Sequence, residues 1–119
     1  MAAILVVDDE PEILRFVCSA LQDEGFAVQS AADGQQAIEV ATRERPDLVV
    51  LDMRLQRVDG QSVARELRRL YGGALPILVM TADGRAQEKA ASVGAFDFLT
   101  KPFDLDRLLG LVRGRLDAA

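Results

Sequence analysis

Three aspartates, a threonine and a lysine stand at the ends of apolar runs in this chain. Asp8 and Asp9 close "AILVVDD", Asp52 closes "DLVVLD", Thr81 closes "PILVMT", and Lys101 follows "FDFLT". A carboxylate at the lip of a core is costly unless it is paired. Three of them on one rim would repel, and burial would raise their pKa values. A divalent cation removes that conflict. Mg²⁺ suits best, because it takes a few carboxylates, keeps waters and binds phosphate oxygens. Taken singly, Asp9 or Thr81 reads as a helix cap. Capping does not account for a lysine and three acids all placed at strand ends.

The segments that must position these residues alternate in period. "AILVV" (3–7), "FAVQS" (26–30), "DLVVL" (47–51), "PILVM" (76–80) and "FDFL" (96–99) read as strands, most of them apolar enough to be buried on both faces. Helical patterns lie between and after them. The first, with Pro11 near its start and Gly25 past its end, places Ile13, Phe16, Val17, Ala20 and Leu21 on one face. The second, 34–45, stops at Pro46. The third, "DGQSVARELRRLY", ends at Gly72 and Gly73, and the fourth, "DGRAQEKAASVG", is short and Ala-rich. The last, "DLDRLLGLVRGRL", has Leu105, Leu108, Leu109, Val112 and Leu116 as its core face, with the final three residues expected to fray. Five strands alternating with five helices predict an α/β fold, a parallel sheet covered on both sides. Sites in such sheets form beyond the C-terminal strand ends, where the five polar residues stand.

The bulk properties narrow the function further. The 119 residues suit one domain, 1–119, with no repeat or linker. A net charge of −5 without a basic block speaks against direct nucleic-acid binding. No apolar run is long enough to span a membrane, and "MAAILVVDDE" reads as a first strand rather than a signal peptide. The chain has no His and no Trp, and Cys18 is its one cysteine. That removes most zinc sites and every His-based triad, and it favours a reducing, cytoplasmic setting.

"VVDDE" at the first strand, "LDMRL…VDG" at the third, "MTA" at the fourth and "TKPF" at the fifth resemble the receiver domain of two-component response regulators. The resemblance covers the whole chain in order. It implies a flavodoxin-like doubly wound sheet of strand order 2-1-3-4-5. It also implies that Asp52 accepts a phosphoryl group from a sensor histidine kinase, a phosphotransfer protein or a small acyl phosphate, in a Mg²⁺-dependent reaction. Such a chain catalyses its own phosphorylation and slow autodephosphorylation rather than turnover of a separate substrate. Asp8, Asp9, Asp52 and the backbone carbonyl of Arg54 would serve the metal, Asp8 through a water. Lys101, Thr81 and the Ala82 N–H would meet the phosphoryl oxygens. Lys101–Pro102 is expected to be cis. Thr81 and Phe98 would form the switch that alters the helix 4–strand 5–helix 5 face, the expected surface for an output partner or a homodimer.

Other residues carry expectations of their own. Gln56 stands where the family commonly has proline, which frees the 52–60 loop. The spacing from Thr81 to Gly94 is shorter than the family pattern, so the fourth helix is expected to be short. Arg54 and Asp83 would pair across the mouth of the site and tune the phosphoryl lifetime; two solvated side chains is the alternative. Leu14, Cys18 and Phe103 would form an apolar patch for the kinase, against the alternative of partial burial. Two competing functions are weighed as well. A haloacid-dehalogenase-like phosphatase requires a second aspartate where Arg54 stands. A receiver-like interaction module that is never phosphorylated would be expected to lack part of the acid set, which this chain keeps.

Overall fold

The computed structural model describes residues 1–82 and 84–118. Its elements alternate throughout: β1 (Ala3–Val7), α1 (Pro11–Asp23), β2 (Ala27–Ala31), α2 (Gly34–Arg43), β3 (Leu48–Asp52), α3 (Gly60–Tyr71), β4 (Ile77–Thr81), α4 (Ala86–Ser92), β5 (Asp97–Thr100) and α5 (Leu105–Asp117). All strand pairs are parallel, and the order is β2-β1-β3-β4-β5. The doubly wound sheet expected from the sequence is therefore present.

The period-2 alternation of the central strands explains why both faces are covered. Ile4 and Val6, Leu48 and Val50, and Leu78 and Met80 pack with Val17 and Leu21 of α1 and Leu108 and Val112 of α5. Leu5 and Val7, Val49 and Leu51, and Ile77 and Val79 face the other way, toward Ala37 and Val40 of α2, Val63 and Leu67 of α3, and Ala90 of α4. Every residue of β3 and β4 is buried. Edge strand β2 is exposed or half-exposed except at Ala31, which matches its weaker pattern.

Local chemistry sets the helix boundaries. Pro11 occupies the first turn of α1, where its missing N–H costs nothing. Asp33, Asp59 and Asp104 cap α2, α3 and α5 by accepting from the N–H groups of Gln36, Ser62 and Asp106. Helix α4 has no side-chain cap and only seven residues, as the shortened spacing predicts.

Three expectations need correction. Strands β2 to β5 each begin and end one residue later than the apolar runs suggest: the ladder of β3, β4 and β5 continues onto the polar residues Asp52, Thr81 and Thr100, and that of β2 onto Ala31. Phe16 is half-exposed (50 %) instead of in the core. The buried stripe of α1 runs through Val17 and Leu21, with Ile13, Leu14 and Cys18 beside it, so the face is rotated toward Leu14 and away from Phe16. Of the final three residues expected to fray, Ala119 lies outside the described residues, while Asp117 is still in α5 and Ala118 is its C-cap. Gly110 and Gly114 lie on its open side, where an added Cβ would meet nothing.

Candidate functional site

The C-terminal strand ends hold the polar residues in the last rungs of the sheet. Asp52 pairs with Met80, and Thr81 pairs with Thr100. The backbone then adds one bond beyond each tip: Asp8 N–H to Ala31 O, Met53 N–H to Met80 O, and Lys101 N–H to Thr81 O, all 2.9 to 3.1 Å. These bonds make the rim part of the sheet instead of a loop. The peptide Lys101–Pro102 is cis, as expected.

Asp8, Asp52 and Thr81 are the buried polar side chains among the described residues. Lys101, whose side chain is 9 % exposed, joins the two acids. Its ammonium lies 2.7 Å from Asp8 Oδ2, 2.9 Å from Glu10 Oε1 and 3.1 Å from Asp52 Oδ2. The contacts to Glu10 and Asp52 are hydrogen bonds. The contact to Asp8 is an ion pair without hydrogen-bond alignment, so Asp8 Oδ2 is a buried oxygen that accepts no hydrogen bond. The second oxygen of each aspartate is tied locally. Asp8 Oδ1 accepts from Glu10 N–H at 2.8 Å, and Asp52 Oδ1 accepts from Arg54 N–H at 3.0 Å.

The electrostatics follow from this crowding. Burial raises the pKa of Asp52; the Arg54 N–H and Lys101 pull it down without reversing the shift, and Asp8 adds to the rise. Burial also works against the charge of Lys101, but the carboxylates of Asp8, Glu10 and Asp52 outweigh it and hold the lysine above its ordinary value. Oxygen atoms of Asp8, Glu10 and Asp52 lie within 4.8 Å of one another. Three carboxylates against one ammonium leave an excess of negative charge. That excess and the unbonded Asp8 oxygen fit a hard divalent cation with oxygen ligands.

A pocket of about 230 Å³ opens over these groups, lined by Asp9, Glu10, Asp52, Arg54, Ala82 and Lys101. Asp9 thus borders the pocket, but the converging carboxylates are Asp8, Glu10 and Asp52. Glu10 had no role in the sequence reading. Its one signal was its place directly after the two aspartates and before Pro11, where the chain turns into α1. The Arg54 side chain is exposed, and its expected partner Asp83 lies outside the described residues. Phe98 is partly buried and packs against the cluster containing Val79 and Ala90. Leu14, Cys18 and Phe103 are partly buried against the opposite cluster. Burial raises the pKa of the Cys18 thiol.

Two glycines let neighbouring backbone close in on the rim. A Cβ on Gly60 would stand 2.6 Å from Met53 Cα and 2.8 Å from Asp52 O, and one on Gly34 would stand 2.1 Å from Val58 O. Arg57 between them has a left-handed φ of 66°, a conformation uncommon for a residue with a Cβ. Gln56 is exposed and lines a shallow groove with Asp9, Glu10 and the start of α1.

A doubly wound α/β domain with an acidic, lysine-bridged pocket at its C-terminal rim is the class defined by fold and site. Comparison with known proteins gives the family. A family model for the response regulator receiver domain matches residues 4–113. The chain is 42 % identical to the DNA-binding dual master transcriptional regulator RpaA of Synechocystis sp., over 98 % of this chain and 49 % of that protein. It is 43 % identical to the response regulator MprA of Mycobacterium leprae, over 95 % of this chain and 50 % of that protein. Among solved structures, chemotaxis protein CheY4 of Vibrio cholerae superposes with a TM-score of 0.87 at 32 % identity, covering 95 % of this chain and 97 % of that one. TrrA of Thermotoga maritima, solved in complex with Mg²⁺ and BeF, does so with a TM-score of 0.86 at 32 % identity, covering 96 % and 98 %. The chain belongs to the response regulator receiver family and is a receiver domain of two-component signal transduction. It spans about half the length of the curated relatives it matches. Neither the phosphatase nor the never-phosphorylated module is favoured by these findings. No helix among the described residues is long and apolar enough to cross a membrane.

Proposed function

We propose that Asp52 is the phosphoacceptor. The carrying observation is that its carboxylate ends a fully buried strand, touches Lys101 at 3.1 Å and faces an open pocket. An Asp52 oxygen attacks phosphorus, and the bond from phosphorus to the donor breaks. The electron pair leaves with the imidazole of a kinase or phosphotransfer protein, or with the carboxylate of an acyl phosphate. Such transfer depends mainly on positioning and charge neutralisation. Asp8, Asp9, Asp52 and the Arg54 carbonyl are the proposed holders of Mg²⁺, with Glu10 close by. When bound, the ion neutralises charge on the phosphoryl oxygens. Lys101 supplies a point charge to one oxygen, the Thr81 hydroxyl donates to another, and the exposed Ala82 offers its N–H without blocking approach.

In the same reading, Thr81 and Phe98 relay the modification to the α4–β5–α5 face, where an output partner or a second copy docks. Leu14, Cys18 and Phe103, extended by the half-exposed Phe16, form the apolar patch for the kinase. Arg54 and Asp83 set the phosphoryl lifetime. RpaA is described as DNA-binding, and a receiver controlling such an output segment fits the half-length match. The chain itself, at −5, makes no direct nucleic-acid contact and works in the cytoplasm, where a sensor kinase presents its phosphohistidine.

The test is incubation with Mg²⁺ and acetyl phosphate, followed by intact mass measurement. The expected result is a gain of one phosphoryl group that Asp52→Ala abolishes. Modification that persists in Asp52→Ala, or none with any donor, would overturn the assignment.

A further inference from the structure

The Lys101 ammonium is enclosed by three carboxylates: it donates to Glu10 at 2.9 Å and to Asp52 at 3.1 Å, and lies in an ion pair 2.7 Å from Asp8. An ammonium has no fourth donor. A phosphoryl oxygen therefore competes for Lys101 with these carboxylates, two of which already hold one of its donors each by a hydrogen bond.

The three are not equally free to leave. Asp8 is fully buried, and its other oxygen is bound to Glu10 N–H. Asp52 sits in the last rung of β3 and is bound to Arg54 N–H. The Glu10 side chain is 60 % exposed. Only its backbone is pinned, so its carboxylate swings into solvent at little cost. It also borders the pocket through which the donor arrives, with a negative charge facing a negative phosphoryl group.

We propose that Glu10 is a positioning residue that holds Lys101 across the pocket and competes with the incoming phosphoryl group for it, which slows the charging of Asp52. The inference rests on Asp52 being the acceptor. During transfer from acetyl phosphate, the bond from Asp52 oxygen to phosphorus forms as the acetyl oxygen–phosphorus bond breaks with its electron pair. Glu10 takes no part in that exchange of bonds. It acts by competing for the cation that the phosphoryl oxygens need. An exposed ion pair is screened by salt, so its grip fades as ionic strength rises.

Three measurements on wild type, Glu10→Gln, Glu10→Ala and Glu12→Gln test this. Glu12 is an exposed acid on the first turn of α1, so its variant controls for charge alone. The first measurement is the Lys101 ¹⁵Nζ resonance without phosphodonor, expected to shift in both Glu10 variants and not in Glu12→Gln. The second is the phosphorylation rate with acetyl phosphate across a salt series. The Glu10 variants are expected to be about two- to fivefold faster than wild type at low salt, the span of an exposed ion pair, and to converge with it at high salt. The third is Mg²⁺ affinity by calorimetry, expected to be no weaker in the Glu10 variants. Rates equal to or below wild type in folded Glu10 variants would overturn the proposal. So would weakened Mg²⁺ binding, which would make Glu10 a ligand, and so would equal acceleration in Glu12→Gln. A wild-type protein that gains no phosphoryl group on Asp52 removes the acceptor reading together with this inference. An unaccelerated Glu10→Gln in a protein that does gain one removes this inference alone.

Discussion

Asp52 carries a conflict at the scale of the single residue. Burial raises its pKa, and the Arg54 N–H and Lys101 do not fully compensate. A neutral carboxyl is a poor nucleophile, so charge must be maintained where it is costly. For an acid whose pKa is higher folded than unfolded, folding favours the protonated form. The penalty is absent below the unfolded value, grows as pH rises between the two, and is complete above the folded value. Asp52→Asn removes it and keeps an oxygen for the Arg54 N–H. We expect metal-free Asp52→Asn to melt higher than wild type at neutral pH. The gap should close as pH falls through the raised pKa toward the ordinary aspartate range. Melting curves across that range check the sign; a gap that widens on acidification would contradict it. Reactivity should follow the same titration, with phosphorylation declining as Asp52 takes up its proton.

The site's precision comes from how elements meet at the rim. Strand β3 delivers Asp52 through an unbroken buried run, and α3 then starts directly against it. Gly60 is the residue that allows this approach, since a Cβ there would stand 2.6 Å from Met53 Cα. Gly60→Ala should therefore push α3 off the strand end. The expected cost is about 1–3 kcal/mol, as for other overpacked sites, measured by urea unfolding. Phosphorylation should slow beyond what stability explains, because the displaced backbone is that of Asp52 and Met53. This element-level fit was only half legible. The turn-and-cap signal "DG" marks the start of α3, and Asp59 does cap it through Ser62 N–H at 2.8 Å. That Gly60 also lies against Met53 depends on the angle between β3 and α3, which no local pattern states.

Across the whole molecule, the weak segment is α4, short and without a side-chain cap. Arg68 compensates from α3. One of its guanidinium nitrogens donates to the carbonyls of Gly72, Gly73 and Leu75, and the other to Val93 and Gly94. It ties the end of α3 and the entry to β4 to the turn before β5. Arg68→Met keeps the stem and removes these bonds. We expect a loss of about 2 kcal/mol, since carbonyls bonded to a charged donor lose their partner. Faster amide exchange should appear around α4 and β5, with β1 and β3 unchanged; a uniform change would refute the strut. Because α4 and β5 form part of the proposed output face, the strut also bears on how that face holds its shape.

The alternation of five apolar runs with five amphipathic segments is written in neighbouring residues, as local propensity and burial pattern require. So were the two-sided core, the short α4 and the types of residue at each strand end. The strand order followed from motif resemblance, because periodicity says which segments are strands and not which lie side by side. The ladder decided that each later strand runs one residue farther, onto Asp52 and Thr81. Tertiary packing decided that Leu14, rather than Phe16, turns inward. Most of all, tertiary structure decided that Lys101 meets Asp52, 49 positions away, and Glu10, 91 positions away. Only a parallel sheet that puts β1, β3 and β5 tips on one rim brings those charges together, and at these distances their interaction depends on position in space and not on place in the chain.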